Sequence, residues 1–207
     1  MGRDTGPKCR KCRREGEKLF LKGERCYTRK CPMSGRSSPP GEWPKRRRPR
    51  KSQYQIHLRA KQKAKRIYGL KERQFRNCVE QAKKRKGVTG ETLLNLLERR
   101  LDNAVYRVGF ASSRAQARQI VAHGHLQVNG RPIDVASATL GEGDVVAVKE
   151  AHRERMKSLL ETNKDRETPA WLEKDLEGMS FEVVTQPDVE QIGQSIAANL
   201  IVEFYSR

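Results

Sequence analysis

The distribution of charge along the chain limits how this sequence can fold. The first 90 residues carry 30 lysines and arginines against seven aspartates and glutamates, whereas residues 91–207 carry 14 against 18. Like charges repel one another in a compact state, so the first 90 residues are stable only beside a polyanion that neutralises them. The sequence thus predicts a basic region held by an anionic partner and a second region that folds as an ordinary domain.

The anionic partner is a nucleic acid or a membrane surface, and the hydropathy of the chain favours nucleic acid. The longest apolar run, Val145–Val148, has four residues, whereas a membrane-spanning helix needs about 20. The N-terminus, residues 1–14, is basic throughout and contains no apolar stretch of the secretory type. We therefore expect a cytoplasmic protein with reduced thiols and no membrane partner.

The small number of aromatic residues narrows the mode of binding. Phenylalanine, tryptophan and tyrosine make up 6% of the chain, which argues against a platform on which successive bases of a single strand stack. Phosphate and shape contacts to folded RNA, or to duplex DNA, fit this composition better.

Periodic patterns predict an α+β protein. A helix is expected from Ser52 to Gly69 and another from Leu70 to Lys86, each apolar on one side and basic on the other. One longer helix is expected over residues 91–108. Ser113 and Gln116 form a capping box that begins a further helix.

The remaining signals for secondary structure are shorter than those of the helices above, and residues 1–50 have no periodic signal. Asn129-Gly130 predicts a β-hairpin, Asp144–Lys149 and Phe181–Thr185 predict strands, and Thr168-Pro169 predicts the start of a short helix. The tail from Gln194 has the apolar spacing of a helix. Six prolines in residues 1–50 and the absence of a periodic pattern predict an extended arm.

Four of the five cysteines are arranged as metal ligands. Cys9 and Cys12 are separated by two residues, and Cys26 and Cys31 by four, all within an arm that offers no apolar core. Four thiolates suit tetrahedral zinc or an iron–sulfur cluster, and the spacing does not distinguish the two. Because protein ligands would fill every position, the predicted site is structural. Cys78 lies inside a helix and is interpreted as a packing residue.

Basic residues near the predicted metal site, in the basic run 45–51 and on the two basic helices are predicted to bind RNA. Arg114 and Arg118, spaced i, i+4, are expected to project from one face of their helix towards phosphates. The predicted RNA-binding residues are Lys8, Arg10, Arg13, Arg14, Arg46, Arg47, Arg48, Arg50, Lys61, Lys63, Lys65, Arg66, Arg73, Arg76, Lys83, Lys84, Arg114 and Arg118.

Several motifs resemble one known family. The run from Leu97 to Gln119, followed by His123-Gly124-His125 and Val128-Asn129-Gly130, is similar to the small RNA-binding domain of bacterial small-subunit ribosomal protein four. The tail from Leu200 to Arg207 and the segment Glu72-Arg73-Gln74-Phe75 match other landmarks of that family. Gly41-Glu42-Trp43 departs from its usual Gly-Gln-His. The four cysteines match its metal-binding branch.

The resemblance implies a structural protein of the small ribosomal subunit without an active site, cofactor-dependent chemistry or a small-molecule substrate. Such a protein is a primary binder of 16S ribosomal RNA that nucleates assembly of the subunit body, contacts small-subunit protein five, influences translational accuracy and borders the path along which mRNA enters. Arg47 and Arg50 match basic residues implicated in unwinding messenger. A cytoplasmic ribosome is expected, with an organellar one as the alternative.

The resemblance also implies that the chain is divided into three parts. These are an arm with the metal site at residues 1–43, a helical RNA-binding lobe formed by residues 44–90 and 188–207, and an inserted α+β RNA-binding domain at residues 91–187, in which a helix pair packs on a small antiparallel sheet.

Two other classes of protein fit this sequence less well. An RNA-modifying enzyme that carries this small domain would need a catalytic domain, but the rest of the chain is an arm, two basic helices and a tail, with no acid–base or nucleophile constellation. The four histidines are scattered and are expected to be polar surface or RNA-contact residues. A free-standing stress RNA binder would need neither the arm nor the tail.

The cysteine spacing leads to a first prediction. Purified protein is expected to contain about one zinc ion, or one iron–sulfur cluster, per chain. Replacing Cys12 and Cys31 together by serine should remove it, whereas Cys78→Ser should leave it in place. Elemental analysis with thiol titration checks this; four freely titrating thiols and less than a tenth of a metal ion per wild-type chain would contradict it.

Overall fold

The structure, a computed structural model, describes residues 2, 4–36, 38–41, 50, 52–163, 166–188, 192 and 196–206. The chain divides into two compact units. Unit 1 comprises residues 1–94 and 190–207, and unit 2 comprises residues 95–189. The C-terminal tail thus belongs to the same unit as the first 94 residues.

The elements of both units are numbered in chain order. The helices are α1 (Lys8–Glu15), α2 (Gln53–Ile67), α3 (Glu72–Lys84), α4 (Thr89–Glu98), α5 (Leu101–Val108), α6 (Arg114–Ala122), α7 (Arg153–Thr162) and α8 (Ala198–Ser206). Short 3₁₀ turns are Gly23–Cys26, Pro32–Ser34 and Glu150–His152. The strands are β1 (Leu126–Val128), β2 (Arg131–Ile133), β3 (Val145–Val148), β4 (Leu172–Asp175) and β5 (Ser180–Val183).

The N-terminal segment is folded where it is described, so the prediction of an extended arm is wrong for α1 and the two 3₁₀ turns that follow. Helix α1 ends at Gly16, whose backbone is left-handed (φ 81°) and whose N–H donates to the Cys12 carbonyl at 2.9 Å. A glycine meets this conformation without the steric cost of a Cβ atom. The buried Leu19 follows this stop and lies in the core of unit 1.

The predicted pair of basic helices is confirmed. The Ser52 side chain caps α2 by accepting from the Gln55 N–H at 3.3 Å, which satisfies one of the N–H groups left open at the start of a helix. Phe75, Val79 and Ala82 form the fully buried stripe of α3. The predicted tail helix is α8, which packs against α2.

A polar network ties α8 to α2 and α3. The Glu72 carboxylate accepts from Lys61 at 2.8 Å, from Lys65 at 2.7 Å and from the Tyr205 hydroxyl at 2.7 Å. Burial alone would raise the pKa of Glu72, but these three hydrogen bonds outweigh it and lower the pKa to about 2. Burial and the bond to Glu72 raise the pKa of Tyr205 above its ordinary value. The Lys61 ammonium also lies 4.5 Å from the centroid of the Phe204 ring.

Unit 2 contains the helix pair α5 and α6, helix α7 and a five-stranded antiparallel sheet in the order β2-β1-β3-β5-β4. The predicted β1–β2 hairpin is confirmed, with Asn129 and Gly130 both at positive φ (49° and 75°), as a type I′ turn requires. Apolar residues of α5, α6 and the sheet form one core. Within it the Phe110 and Phe181 rings meet edge to face, with centroids 5.6 Å apart. The α+β class is thereby confirmed.

The single helix predicted over residues 91–108 is wrong, because the chain breaks it into α4 and α5. Arg100 takes an extended conformation (ψ 137°) and forms an isolated β-bridge with Thr139. The Leu101 N–H donates to the Ala138 carbonyl at 2.8 Å, and the Leu140 N–H to the Arg99 carbonyl at 2.9 Å. Backbone partners distant in sequence replace the helical bonds at this point, and a local apolar pattern does not reveal them.

The short helix predicted from Thr168-Pro169 is also wrong. No helix is assigned in described residues 166–171, and the chain continues as β4, which the sequence did not predict. Its register against β5 pairs Leu172 with Val183 and Lys174 with Phe181. Pairing with a neighbouring strand therefore overrides the helix-start signal, since strand formation depends on packing more than on local preference.

The Glu72 network predicts an acid-dependent loss of stability. The folded-state pKa lies below the ordinary value, so the stabilisation is fully present above about pH 5 and is lost as the pH falls towards 2. Glu72→Gln should lower the free energy of unfolding by about 1 kcal/mol at pH 7, after allowance for solvent screening of this half-exposed carboxylate. Thermal unfolding followed by circular dichroism at pH 7 and pH 3 measures this.

The matched control is Glu80→Gln, which removes an exposed carboxylate of the same helix that pairs with Arg76 four residues earlier. We expect it to change stability by less than about 0.5 kcal/mol at either pH. Equal effects of the two substitutions, or a Glu72→Gln deficit that persists undiminished at pH 3, would contradict the role of the network.

Candidate nucleic-acid interface

The basic residues of α1 separate into two groups. Arg13 is turned towards the protein, where its Nε donates to the Ser38 carbonyl at 2.8 Å and its Nη2 to the Pro39 carbonyl at 3.2 Å. Lys8 donates to the Asp4 carbonyl at 2.6 Å. Arg10 and Arg14 are exposed and form no ion pair within the described part of the chain. Of the basic residues predicted on α1, these two are the best placed to reach a phosphate.

The predicted metal ligands lie near one another. Cys12, Cys26 and Cys31 are buried and Cys9 is half-buried. Burial raises the pKa of Cys12, and the neighbouring thiols of Cys26, Cys9 and Cys31 raise it further. A set of four thiols suits a closed zinc or iron–sulfur site, but in the described residues no group of three or more His, Cys, Asp or Glu side chains is arranged to hold a metal ion.

The basic residues of α2 face acidic side chains of the protein itself. Arg59 and Arg66 both bind the Glu15 carboxylate, whose side chain is 3% exposed. Burial raises the pKa of Glu15, against the opposing effect of the two guanidinium groups. Lys63 binds Glu17 at 2.7 Å.

Lys61 and Lys65, which bind Glu72, complete this set, and Lys61 is only 5% exposed. The expected solvent-facing position of Lys61 is therefore wrong, because its ammonium group is enclosed by Glu72 and by the aromatic residues of α8. Lys63, Lys65 and Arg66 are partly exposed but already paired. Helix α2 thus holds unit 1 together more than it offers free cations.

Helix α3 presents a different surface. Arg73, Arg76, Lys83 and Lys84 are exposed on the side opposite the buried stripe, and Arg85 and Lys86 extend this surface beyond the helix. Arg76 pairs with Glu80 at 3.0 Å, and Lys83 donates to the Tyr205 carbonyl at 2.9 Å.

We call Arg73, Lys84, Arg85 and Lys86 the α3 cationic edge. None of the four forms an ion pair with a described residue. The edge is therefore a surface where a polyanion meets cations that are not already neutralised.

Unit 2 places Arg114 and Arg118 in different environments, contrary to the expected exposed pair. Arg118 is 8% exposed and its Nη1 lies 3.1 Å from an oxygen of the buried Asp102 carboxylate. Arg100 binds the same carboxylate through two nitrogens, at 3.0 and 2.9 Å. The prediction that Arg118 projects from the surface is wrong, because Asp102 holds its guanidinium group inside.

Arg114 also takes part in a network within unit 2. Its Nε donates to the Asn103 side-chain oxygen at 2.7 Å, and its guanidinium group lies 4.5 Å from the Tyr106 ring centroid. The Arg166 guanidinium group lies at the same distance from that ring. Arg114 is partly exposed, so a phosphate can reach it only at its outer edge.

The histidines are less scattered than the sequence suggested. His57 is buried and its Nε2 lies 3.0 Å from a Glu203 oxygen, so its expected exposed position is wrong. In unit 2 the His125 and His152 rings stack at 4.0 Å, beside a cleft of about 250 Å³. Burial and the nearby His152, Arg155 and His123 groups lower the pKa of His125.

Some residues predicted to bind RNA lie outside the described residues, and the prediction omitted some exposed cations. Arg46, Arg47 and Arg48, with most of the basic run 45–51, lie outside the described residues, whereas Arg50 is described and exposed. The prediction omitted the exposed loop cations Lys18, Lys22, Arg25, Arg29, Lys30 and Arg36 as well as Arg85 and Lys86. Their only signal in the sequence is charge, since they do not share a helical face.

In the ranges that the structure covers, no helix has both the length and the apolar character to cross a lipid bilayer.

Comparison with known proteins assigns the family. The profile of the Ribosomal protein S4/S9 N-terminal domain matches residues 3–98, and that of the S4 domain matches residues 99–146. Small ribosomal subunit protein uS4 of Thermus thermophilus is 53% identical, and uS4A of Symbiobacterium thermophilum is 54% identical, each over the whole of both chains. The chain belongs to the uS4 family of small ribosomal subunit proteins.

The family relationship confirms two predictions from the sequence. The uS4 family consists of structural ribosomal proteins, so this chain is not an enzyme. The S4 domain at residues 99–146 covers α5, α6 and the first strands of unit 2, in agreement with the RNA-binding domain inferred from the run that begins at Leu97. The uS4 protein of Halothermothrix orenii, 53% identical over its full length, supports the same assignment.

The burial of Arg118 gives a prediction that differs from a phosphate contact. Arg118→Ala should lower the free energy of unfolding of unit 2 by about 1–3 kcal/mol, because the buried Asp102 carboxylate loses one of its two guanidinium partners. The salt dependence of RNA binding should stay unchanged. The first effect is measured by denaturant unfolding, followed by the fluorescence of Trp171, which is buried in unit 2. A Trp43→Phe background removes the signal of the other tryptophan.

Arg131→Ala is the matched control, since Arg131 is exposed on β2. Its effect on unfolding should stay within about 0.5 kcal/mol. An unaltered unfolding curve for Arg118→Ala, together with a salt slope reduced by about one unit, would instead mean that Arg118 contacts a phosphate.

Proposed function

We propose that this protein is a primary binder of 16S ribosomal RNA that nucleates assembly of the body of the small subunit in the bacterial cytoplasm. The observation that carries the proposal is the unpaired positive charge that remains on unit 1 after the internal ion pairs are formed. The α3 cationic edge and the exposed Arg10 and Arg14 of α1 are its described parts. The names and bacterial sources of the uS4 relatives support the choice of ribosomal RNA.

The chemistry of these cations indicates phosphate binding. Each lysine or arginine that neutralises a phosphate releases condensed counterions, which supplies affinity without reading the base. Exposed cations that form no ion pair with a described residue avoid the cost of breaking an existing pair when RNA arrives. By this reasoning Arg73 and Lys84 should contribute more to affinity than Lys63, Lys65 and Arg66, which are already paired.

The proposal extends to the organisation of the chain. Residues 44–90 and 188–207 would form the RNA-binding lobe, with residues 91–187 inserted as a second RNA-binding domain. Limited proteolysis tests this arrangement. A protease-resistant fragment close to 91–187 is the expected product, whereas a fragment that joins it inseparably to the tail would contradict the arrangement.

Further contacts are proposed from the resemblance alone. Contact with small-subunit protein five and influence on translational accuracy are expected of the family. Arg50, with the undescribed Arg47, would border the path along which mRNA enters. Site-specific crosslinking from Arg50 in translating ribosomes, with messenger as the expected product, tests the last point.

A structural metal at Cys9, Cys12, Cys26 and Cys31 belongs to the same proposal. Its support is the paired spacing of the cysteines, together with the position of Cys9, Cys26 and Cys31 near enough to Cys12 to influence its pKa. Zinc or an iron–sulfur cluster would hold the N-terminal segment in a fixed shape. The cations of α1 between and after the first two ligands, Arg10 and Arg14 among them, would then be presented to RNA.

The salt dependence of binding tests the RNA interface. The triple variant Arg73→Gln, Lys84→Gln, Lys86→Gln should weaken binding to a 16S RNA transcript. It should also reduce the slope of log K against log salt by about two units, at roughly 0.7–0.9 per phosphate contact. Its unfolding temperature should remain that of the wild type.

The matched control removes three exposed cations from unit 2, at Arg131, Arg153 and Lys157. We expect it to change the slope by less than about one unit. Equal losses in both triple variants would show that net charge alone governs binding. A wild-type protein that neither binds 16S RNA nor cosediments with small subunits would overturn the proposed function.

A further inference from the structure

Two aromatic side chains of the N-terminal segment lie on the surface and touch each other. Phe20 is 37% exposed and Tyr27 is 63% exposed. Their ring centroids are 4.9 Å apart and their planes are inclined by 31°. The two rings form an apolar patch rimmed by polar residues, which is a type of surface found at binding sites. We call these two residues the aromatic pair.

The backbone holds the aromatic pair in this position. Phe20 has a left-handed conformation (φ 49°), which is unfavourable for a bulky residue and persists only where the surrounding structure imposes it. The preceding Leu19 is buried, with 4% of its surface exposed. Since Leu19 points into the core, the left-handed turn brings the next ring to the surface.

Tyr27 is anchored in a similar way. It follows Cys26, which is buried and whose Sγ accepts from the Lys22 N–H at 3.3 Å. Both rings therefore follow directly after a buried residue, Leu19 or Cys26, that fixes the backbone. A ring whose position is set before binding loses little conformational entropy when a partner stacks on it.

The cations that flank the aromatic pair in the sequence indicate its partner. Lys18, Lys22, Arg25, Arg29 and Lys30 are all exposed, and none forms an ion pair with a described residue. Glu24 is the single exposed acidic residue in the fully described stretch 18–30. Planar aromatic surface beside unpaired cations matches a nucleotide, whose base has a π-face and whose flanking phosphates are negative.

We propose that Phe20 and Tyr27 stack on one unpaired nucleobase of the ribosomal RNA, while the surrounding lysines and arginines bind the adjacent phosphates. The site rests on the proposed function and adds a specific contact to it. The site binds a base that is unpaired and unstacked, because both faces of a base inside a helix are covered by its neighbours. The low aromatic content of the chain agrees with a single stacking site in place of an extended platform.

The test separates stacking from charge. The double variant Phe20→Leu, Tyr27→Leu keeps apolar side chains and removes the π-faces. It should bind a 16S RNA transcript about 5- to 100-fold more weakly, with the salt slope unchanged because no charge is removed. The double variant Phe20→Tyr, Tyr27→Trp should retain affinity. In chemical probing of the complex, one unpaired base should be protected by wild type and reactive with the leucine variant.

Two controls keep the result interpretable. Tyr54→Leu removes an aromatic ring of similar exposure from α2, outside residues 18–30, and should leave affinity and probing unchanged. Unfolding temperature and thiol accessibility of the leucine variant should equal those of wild type. If the leucine variant misfolds, Tyr27→Ser takes its place, and loss of protection of that base by this single variant, with protection retained by Tyr27→Trp, is the expected result.

Three outcomes would overturn the proposal. The first is a leucine variant that binds as tightly as wild type. The second is continued protection of the same base in the absence of the two rings. Alternatively, the variant binds RNA normally but fails to retain a neighbouring ribosomal protein in reconstituted subunits, which would make the pair a protein contact. Failure of the wild-type protein to bind 16S RNA would instead reject the proposed function itself.

Discussion

Four carboxylates determine which cations of this basic chain are internal. Glu15 binds Arg59 and Arg66, Glu72 binds Lys61 and Lys65, Glu98 binds Arg107, and Asp102 binds Arg100 and Arg118. The side chains of Glu15, Glu98 and Asp102 are nearly inaccessible to solvent. A buried carboxylate is tolerated only when charged partners and hydrogen bonds satisfy it, so each of these acids requires its basic neighbours.

This constraint separates structural cations from binding cations in a chain with a net charge of +19. The basic residues of α2 are mostly paired within unit 1, where they link α1, α3 and α8. Those at the end of α3 and in the loop of residues 18–30 have no such pairs among the described residues. Similar side chains therefore differ in role, because a carboxylate of the protein pairs with each cation of one group and, among the described residues, with none of the other.

The N-terminal segment shows how a small region without a large apolar core can present fixed side chains. Its buried residues include three of the four cysteines and Leu19, and the left-handed residues Gly16 and Phe20 turn the chain around them. The proposed metal would add covalent constraint to this arrangement. Phe20 and Tyr27 are then displayed in one place, which agrees with recognition of a single base.

The sequence by itself determined the α+β class, the helices α2, α3 and α6, the β1–β2 hairpin and the family. These features depend on local rules that neighbouring residues set, such as the Ser52 and Ser113 caps, the Asn129-Gly130 turn and the spacing of Phe75, Val79 and Ala82.

Tertiary structure alone decided the break between α4 and α5, the strand β4 and the burial of Lys61, His57 and Arg118. Each of these depends on a partner distant in the chain: the carbonyl of Ala138, strand β5, Glu203, or the aromatic residues of α8. Asp102 lies 16 residues before Arg118 and meets it only because α5 and α6 pack together. Local periodicity contains no information on such pairings, so charge and helical spacing predicted a surface arginine where packing placed a buried one.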